Sequence, residues 1–253
     1  MAIVIAVANQ KGGVAKTTTA AALATGLQRQ GYKVLAVDLD AQGNLSDNVG
    51  ADGQNNRTTY EIMKGSVNIT DAIQKTEIFD IVPANLALAS ADMEFTATGR
   101  EYKLKKALSP IMDQYDYIIL DTPPTLGIMT VNAFIVSNEV IIPACGIDGV
   151  KGIVNLYRTI DTVREFGNEK LRISGILLTM YNSRTIIDQN IRELAETIGE
   201  QLRIPVFKTA IRTSVVVDEA KANQKDLFSY AEKNNVAVDY SNFISEYLKG
   251  DQK

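Results

Sequence analysis

The chain has 253 residues, of which 45% are hydrophobic and 22% charged, and its net charge is −4. This balance predicts one large α/β domain over residues 1–253, and it argues against a surface coated with nucleic-acid-binding charge while leaving room for a local basic patch. A single cysteine, Cys145, and the lack of histidine exclude an intramolecular disulfide and argue against a zinc or iron–sulfur site within one chain.

The sequence also predicts a compartment. No apolar run approaches the roughly 20 residues that a bilayer-spanning helix needs. The start MAIVIAVANQ lacks the basic segment of a signal peptide. We therefore expect a cytoplasmic protein that is neither exported nor membrane-spanning.

Short apolar runs rich in β-branched residues alternate with longer amphipathic stretches along the chain. This alternation predicts βαβ units, a mostly parallel twisted sheet and helices on both of its faces. The predicted strands cover residues 3–8, 33–40, 79–84, 115–121, 139–145 and 172–180. Helices are predicted over residues 17–30 and 238–249, and we expect the apolar face of the second one to dock on the core.

The stretch ANQKGGVAKTTTA joins the first strand to the first helix. A strand, a glycine-containing turn and a helix that begins Lys-Thr-Thr direct backbone N–H groups and a helix N-terminus towards phosphate. Lys16 would meet the β- and γ-phosphates, and the Thr17 hydroxyl would bind Mg²⁺. The usual pattern, G-x-x-x-x-G-K-[ST], is broken, because its glycine positions hold Gln10 and Ala15. A positive φ at Ala15 would cost about 1 kcal/mol and weaken the affinity several-fold, whereas a negative φ would require only that the methyl group fits. In both cases we expect the loop to bind a nucleotide and hydrolysis to be slow.

Aspartates close two of the predicted strands. Asp38 and Asp40 end one strand, and Asp121 ends another. Ligands of open α/β sheets bind beyond the carboxyl ends of the strands, so we expect these carboxylates at the same edge as the loop. Aspartates at strand ends also cap helices and form turns, which is the alternative role of Asp40 and Asp121. The alternative for Lys11 is a solvated charge on the loop.

Four segments together resemble one known family. KGGVAKTT (11–18), VDLDAQGNLS (37–46), YDYIILDTPPTLG (115–127) and LLTMYNSRT (177–185) are similar, in order and spacing, to motifs of the ParA/MinD family of deviant Walker-A ATPases. The similarity is greatest to the small, Soj-like ParA partition proteins. The resemblance implies a P-loop NTPase fold with ATP and Mg²⁺ as cofactors. This sequence departs from the family pattern at Ala15, where the family has glycine.

The resemblance implies a role for each matched residue. Lys11 would be the signature lysine that reaches across a homodimer to the partner's nucleotide, and Asp40 would orient the attacking water. Asp121 would support Mg²⁺ through water, and Asn182 would contact the adenine edge. The implied catalytic set is Lys11, Lys16 and Asp40; the nucleotide-binding set is Lys11, Gly12, Gly13, Val14, Ala15, Lys16, Thr17, Thr18 and Asn182; the metal set is Thr17, Asp40 and Asp121.

The same resemblance implies a DNA partner. An ATP-dependent homodimer would bind nonspecific DNA on the nucleoid and would be released when a ParB-type centromere-binding protein stimulates hydrolysis. Arg184 matches a family arginine that contacts DNA, whereas a second such arginine is replaced by Val216. The candidate basic patch contains Arg184, Lys208, Arg212, Lys221 and Lys225.

Three other functions compete with this interpretation. A MinD-like membrane-surface positioner needs a basic amphipathic terminal helix, but SNFISEYLKGDQK balances its lysines with acids. A relative of the nitrogenase iron protein needs at least two cluster cysteines, and only Cys145 exists. A nucleotide-binding scaffold without turnover stays open because of Ala15.

Overall fold

In the computed structural model, which describes residues 1–250, a single seven-stranded sheet runs through the molecule in the order β3-β4-β2-β5-β1-β6-β7. Five neighbouring pairs are parallel, and β3 alone pairs antiparallel, with β4. The strands are β1 (Ile3–Val7), β2 (Val34–Asp38), β3 (Gln74–Lys75), β4 (Asp80–Val82), β5 (Tyr117–Asp121), β6 (Glu139–Ala144) and β7 (Arg172–Leu178).

Helices connect the strands and extend beyond the last one. In chain order they are α1 (Lys16–Arg29), α2 (Asn44–Asn48), α3 (Thr59–Lys64), α4 (Ile69–Ala72), α5 (Ala91–Glu94), α6 (Lys103–Leu108), α7 (Ile128–Val136), α8 (Gly146–Lys151), α9 (Ile153–Phe166), α10 (Ile186–Leu202), α11 (Val216–Ala222), α12 (Leu227–Tyr230) and α13 (Asn235–Gly250). Short 3₁₀ turns cover Leu86–Ser90, Arg100–Tyr102 and Ser109–Ile111.

The sheet is buried on both faces because successive side chains of a strand point to opposite sides. Ile5 and Val7 of β1 pack into one hydrophobic cluster with α1, α12 and α13. Val4 and Ala6 of the same strand pack into the other cluster, with α6, α7, α9 and α10. The predicted α/β class with helices on both faces is confirmed.

The strand order reverses next to β1, which lies between β5 and β6. In the register of the central strands, Val7 of β1 and Asp38 of β2 each align with Asp121 of β5. The loop after β1 and the two strand-ending aspartates therefore meet at the carboxyl edge of the sheet. Such a reversal forms the crevice in which open α/β sheets bind ligands.

Each of the six predicted runs contains one of the parallel strands. The antiparallel β3 was not predicted, because it has only two residues, Gln74 and Lys75, and no apolar pattern. The final helix begins at Asn235, before its predicted start. Its expected docking is confirmed, since Tyr240, Phe243 and Ile244 are at most 1% exposed.

Candidate nucleotide-binding site

The loop between β1 and α1 has its backbone in the left-handed region at two positions. Gly13 has φ 73° and Ala15, the residue before the first turn of α1, has φ 61° and ψ 31°. No side chain caps this end of α1. The first N–H groups of the helix, which have no intrahelical acceptor, therefore stay available to an anion such as a phosphate.

The two glycines of the loop border open space. A Cβ placed on Gly12 or Gly13 would meet no atom within 4 Å. A ligand approaching this backbone would occupy the space that a side chain would otherwise fill, which is the reason for glycine at such sites. Gly13 also needs glycine for its φ of 73°.

Lys16 is folded back over the loop. Its side chain is buried, with the residue 7% exposed, and its Nζ donates a hydrogen bond of 3.2 Å to the carbonyl oxygen of Lys11. Burial lowers the pKa of Lys16, and the carboxylates of Asp121 and Asp40 oppose this effect. An anion at the loop would meet a lysine already held in position.

Asn9 is a buried asparagine that links the loop to β6 and α8, and the sequence analysis did not identify it. Asn9 donates from Nδ2 to the carbonyl oxygens of Pro143 (2.8 Å) and Gly149 (3.2 Å), and its Oδ1 accepts from the Lys11 N–H (3.0 Å). The available sequence signal was a polar residue directly after an apolar strand. Asn9 thus positions the backbone that carries Lys11.

Asp121 is a buried carboxylate without a partner. The residue is 1% exposed, and neither carboxylate oxygen has a hydrogen bond among the described residues. Burial raises its pKa well above the ordinary value, as does the Asp38 carboxylate, while Thr17 and Lys16 act in the opposite direction. An orphaned carboxylate beside a threonine hydroxyl suits a hydrated Mg²⁺, whose waters would satisfy the empty acceptors.

Within residues 1–250, no group of three or more histidine, cysteine, aspartate or glutamate side chains is placed to hold a metal ion. This agrees with Mg²⁺, which commonly binds through one or two protein groups together with waters and substrate phosphates. The donors present, the Thr17 hydroxyl and the carboxylates of Asp40 and Asp121, therefore fit the ion.

Asp38 and Asp40 differ in their surroundings although only one residue separates them. Asp38 is fully buried and accepts hydrogen bonds from Ser46 Oγ (2.7 Å), the Ser46 N–H (2.9 Å) and the Asp40 N–H (3.1 Å). Burial raises the pKa of Asp38 to about 6. Asp40 is partly exposed and borders the cavity described next. Asp40 is thus the carboxylate that a bound molecule can reach.

A cavity of about 520 Å³ extends from the loop across the carboxyl edge of the sheet. Its size suits a nucleotide. Its lining residues come from the loop, the segment after β2, the end of β7 and the C-terminal third: Gly12, Gly13, Ala15, Lys16, Thr17, Thr18, Asp40, Gln42, Asn44, Asn48, Pro124, Thr179, Met180, Ile211, Arg212, Thr213, Ser214, Val217, Asp218, Lys221, Val236 and Tyr240.

The structure brings most of the predicted nucleotide residues together at this cavity and leaves others outside it. Within the described chain, Lys11, Val14, Asp121 and Asn182 are not among its lining residues. Lys11 is exposed, and Val14 is buried with its carbonyl oxygen accepting from Thr179 Oγ1 at 3.1 Å.

Asn182 serves a turn in this structure. Its Oδ1 accepts from the Arg184 N–H (3.1 Å), and its own N–H donates to Asp188 Oδ2 (3.1 Å). This is the local hydrogen bonding that asparagine favours in turns. The adenine contact predicted for Asn182 stays a prediction.

The five predicted DNA contacts lie in different settings. Arg184 and Lys208 are exposed, as is Lys225, which borders a small apolar pocket beside α1. Arg212 and Lys221 line the cavity instead, and each has an acidic partner: Arg212 pairs with Asp239 at 2.7 Å and Lys221 with Asp218 at 3.6 Å. The patch predicted from sequence is therefore divided between surface and cavity.

Comparisons with known proteins agree with this geometry. A family model described as an AAA domain matches residues 2–173. The sporulation initiation inhibitor protein Soj of Bacillus subtilis is 36% identical over 251 residues, which cover 97% of this chain and 98% of Soj. The chain belongs to the ParA/MinD family of deviant Walker-A ATPases. The chromosome partitioning protein ParA of Caulobacter vibrioides is 37% identical to this ParA-type chain over 234 residues, covering 90% of it and 86% of that protein.

A solved relative extends the likeness to the fold. The crystal structure of a cobyrinic acid a,c-diamide synthase from Mycobacterium smegmatis, with bound ADP and magnesium, superposes with a TM-score of 0.85. That protein is 33% identical, and the match covers 100% of this ParA-type chain and 96% of the other. In residues 1–250, no helix of this ParA-type chain combines the length and apolar character needed to cross a bilayer.

Proposed function

We propose that this chain is an ATP-dependent molecular switch for the partition of a chromosome or plasmid. Its ATP-bound form is a homodimer that binds DNA without sequence preference, and hydrolysis, stimulated by a ParB-type partner, returns it to monomers. The switch works in the cytoplasm on nucleoid DNA. The Caulobacter vibrioides relative that is named for chromosome partitioning, 37% identical over 90% of the chain, supports this function.

One observation carries the nucleotide part of the proposal. Lys16 and Thr17 line a cavity of about 520 Å³ next to a helix N-terminus without a cap, and both act on the buried carboxylate of Asp121, which lies outside the cavity lining. Anion-binding N–H groups, a buried cation and free metal ligands suit a Mg²⁺-bound triphosphate better than any other common ligand. The Mycobacterium smegmatis relative, with bound ADP and magnesium, supports this assignment.

The chemistry follows from what phosphoryl transfer to water requires. Thr17, Asp40 and Asp121 would hold Mg²⁺, which would neutralise negative charge on the phosphate oxygens. Lys16 binds the β- and γ-phosphates, and the partly exposed Asp40 orients the attacking water and takes up its proton. Lys11 is exposed and outside the cavity lining, which suits a lysine that acts on the nucleotide of a partner subunit. It would stabilise the charge that develops on the transferred phosphate.

DNA binding belongs to the exposed part of the basic patch. Arg184, Lys208 and Lys225 are exposed to solvent and form no ion pair within residues 1–250, whereas Arg212 and Lys221 each pair with an aspartate. A homodimer presents two copies of the patch, and affinity for the DNA backbone rises steeply with the number of cations engaged. DNA binding would thus depend on ATP through dimerisation.

The proposal is tested by ATP binding, phosphate release and DNA co-sedimentation on the full chain, with Lys16→Ala and Arg184→Glu as variants. We expect Lys16→Ala to lose ATP affinity at least tenfold, since it removes the buried phosphate ligand. We expect Arg184→Glu to keep ATP-dependent dimerisation and to lose DNA sedimentation. Arg158→Glu, a charge reversal on α9, is the matched control.

Two results would contradict the proposal. Undiminished ATP affinity in Lys16→Ala would remove the loop from nucleotide binding. A wild-type chain that hydrolyses ATP but neither dimerises nor binds DNA would leave an ATPase without the partition function, a result in line with the synthase activity named for the Mycobacterium smegmatis relative.

A further inference from the structure

Arg212, which lines the cavity, forms an ion pair with Asp239 that joins the segment before α11 to helix α13. Arg212 donates from Nε to Asp239 Oδ2 (2.8 Å) and from Nη2 to Asp239 Oδ1 (2.7 Å). The same Nη2 donates to the carbonyl oxygen of Asn235 (3.3 Å), and the Arg212 backbone N–H donates to Asp239 Oδ2 (3.0 Å). A two-point pair of this kind fixes the orientation of the guanidinium plane.

The two partners of this pair differ in exposure. The Asp239 side chain is 10% exposed, whereas the Arg212 side chain is 47% exposed and borders the cavity. The carboxylate thus serves as a buried anchor, and the guanidinium presents a fixed, flat, charged surface to the cavity. Apolar neighbours in the lining, Met180, Ile211 and Val236, give this end the character of a site for a flat ring.

The position of the pair along the cavity follows from contacts of α13 with α1. Tyr240, next to Asp239, shares a hydrogen bond of 3.2 Å with Thr19 Oγ1. The pair therefore lies on the side of Thr18 and Thr19, whereas Asp40, Gln42 and Asn44 border the cavity from the segment after β2. In a phosphate loop, the γ-phosphate lies near the catalytic groups and the backbone after the lysine cradles the α-phosphate. A nucleoside bound in this orientation would extend from the loop towards α13.

We propose that the Arg212–Asp239 ion pair is the nucleobase platform of this cavity, with the base stacked on the guanidinium plane that Asp239 holds in place. This inference rests on the proposed nucleotide binding. It gives Arg212 a role different from the DNA contact predicted from sequence, since Nε and Nη2 are already engaged and the side chain faces the cavity. Stacking on a fixed plane binds a base through its π-face rather than its edge.

The test compares two ligands of the same phosphate chemistry, Mg²⁺-ATP and Mg²⁺-tripolyphosphate, by calorimetric titration of the full chain. The main variant is Arg212→Lys, which keeps a cation beside the buried Asp239 but has no planar surface. We expect its ATP affinity to fall about five- to tenfold. Tripolyphosphate affinity is expected to stay within about twofold of wild type, because this ligand has no base.

Two further variants separate a stacking role from a structural one. Arg172→Lys is the matched control. Arg172 pairs with the buried Glu139, the Arg172 side chain is 59% exposed, and Arg172 does not line the nucleotide cavity. It is expected to bind both ligands as wild type does. The double variant Arg212→Ala/Asp239→Asn removes the platform without leaving a buried charge unpaired, and it should repeat the selective loss of ATP affinity.

The outcomes separate the two proposals. An equal loss of affinity for both ligands would make Arg212 a structural residue and overturn the platform, as would unchanged ATP affinity in both Arg212 variants. In either case, binding of tripolyphosphate by the wild-type chain would still support the phosphate site. A wild-type chain that binds neither ligand would overturn nucleotide binding itself, and the platform with it.

Discussion

Ala15 holds a backbone conformation that favours glycine, with φ 61°. The steric cost of about 1 kcal/mol is therefore part of the fold of this loop. A cost that is equal in the free and bound states lowers the free energy of unfolding and leaves the free energy of binding unchanged. This differs from the weakened affinity that the sequence predicts.

We predict that Ala15→Gly changes ATP affinity by less than about twofold, because the loop needs no rearrangement at this residue. Calorimetric titration with Mg²⁺-ATP checks it. Gly13→Ala, at φ 73° with open space around the new Cβ, is the converse variant and should lower the free energy of unfolding by about 1 kcal/mol. A tenfold gain of affinity in Ala15→Gly would mean that the loop relaxes when it is empty.

Asp121 and Asp38 make the stability of the nucleotide-free chain depend on pH. Burial raises the pKa of both carboxyls, that of Asp38 from 3.8 to about 6. A carboxyl whose pKa is higher in the folded than in the unfolded state stabilises the fold below its unfolded pKa, and this contribution is lost as the pH rises through the folded pKa. Ionisation of these two carboxyls therefore lowers the free energy of unfolding as the pH rises from about 4 through about 6.

We predict that Asp121→Asn becomes more stable relative to wild type as the pH rises, because the variant carries no charge into the buried site. Between about pH 4.5 and pH 7, the difference in the free energy of unfolding should grow by at least about 1 kcal/mol. Urea unfolding without nucleotide or Mg²⁺ measures it. Asp113→Asn, at an 89% exposed side chain, is the control and should show no such growth. A constant difference for Asp121→Asn would contradict the linkage.

At the scale of elements, the packing of α1 on α13 depends on one glycine. A Cβ on Gly26 would lie 2.1 Å from Cδ1 of Ile244, a buried residue of α13. We predict that Gly26→Ala lowers the free energy of unfolding by about 1–2 kcal/mol, although alanine is the better helix former by about 1 kcal/mol. In an Ile244→Val background, which lacks Cδ1, the same substitution should be neutral or stabilising. Chemical unfolding of the four proteins measures the coupling, and an equal effect in both backgrounds would refute it.

How far the sequence predicts an element depends on whether its cause is local. Buried parallel strands are continuous apolar runs and helices have an apolar face, so six strands and the docked final helix were predictable. The β3 strand pairs through its backbone alone and has no such pattern. The phosphate loop was predictable because its residues are contiguous.

Contacts between distant residues explain the rest of the site. Asn9 reaches the carbonyl of Pro143, 134 residues away, and Thr19 reaches Tyr240, 221 residues away. No local pattern in a single sequence records such pairs. The same holds for Arg212, which looks like one more surface cation until α13 places Asp239 beside it.

At the scale of the whole molecule, Lys11 lies apart from the other residues proposed for hydrolysis. Lys16, Thr17 and Asp40 border the cavity, whereas Lys11 is exposed and absent from the lining of the described chain. Asn9 nevertheless holds the Lys11 N–H at 3.0 Å, so the residue projects from a fixed piece of backbone. A lysine fixed at the surface beside a phosphate site is suited to a second subunit facing the same edge of the sheet.

Mixing two inactive variants tests whether Lys11 acts between subunits. We predict that Lys11→Ala and Asp40→Ala each hydrolyse little ATP alone, and that an equal mixture recovers about a quarter of the wild-type rate. The estimate assumes random pairing in a symmetric dimer, in which half of the dimers are mixed and hold one complete site of two. That site combines Asp40 of the Lys11→Ala subunit with Lys11 of its partner. If Lys11 serves its own subunit, no mixed dimer has a complete site and the rate stays low. Mixing Lys11→Ala with the double variant Lys11→Ala/Asp40→Ala, where no subunit supplies the lysine, is the control that must show no recovery.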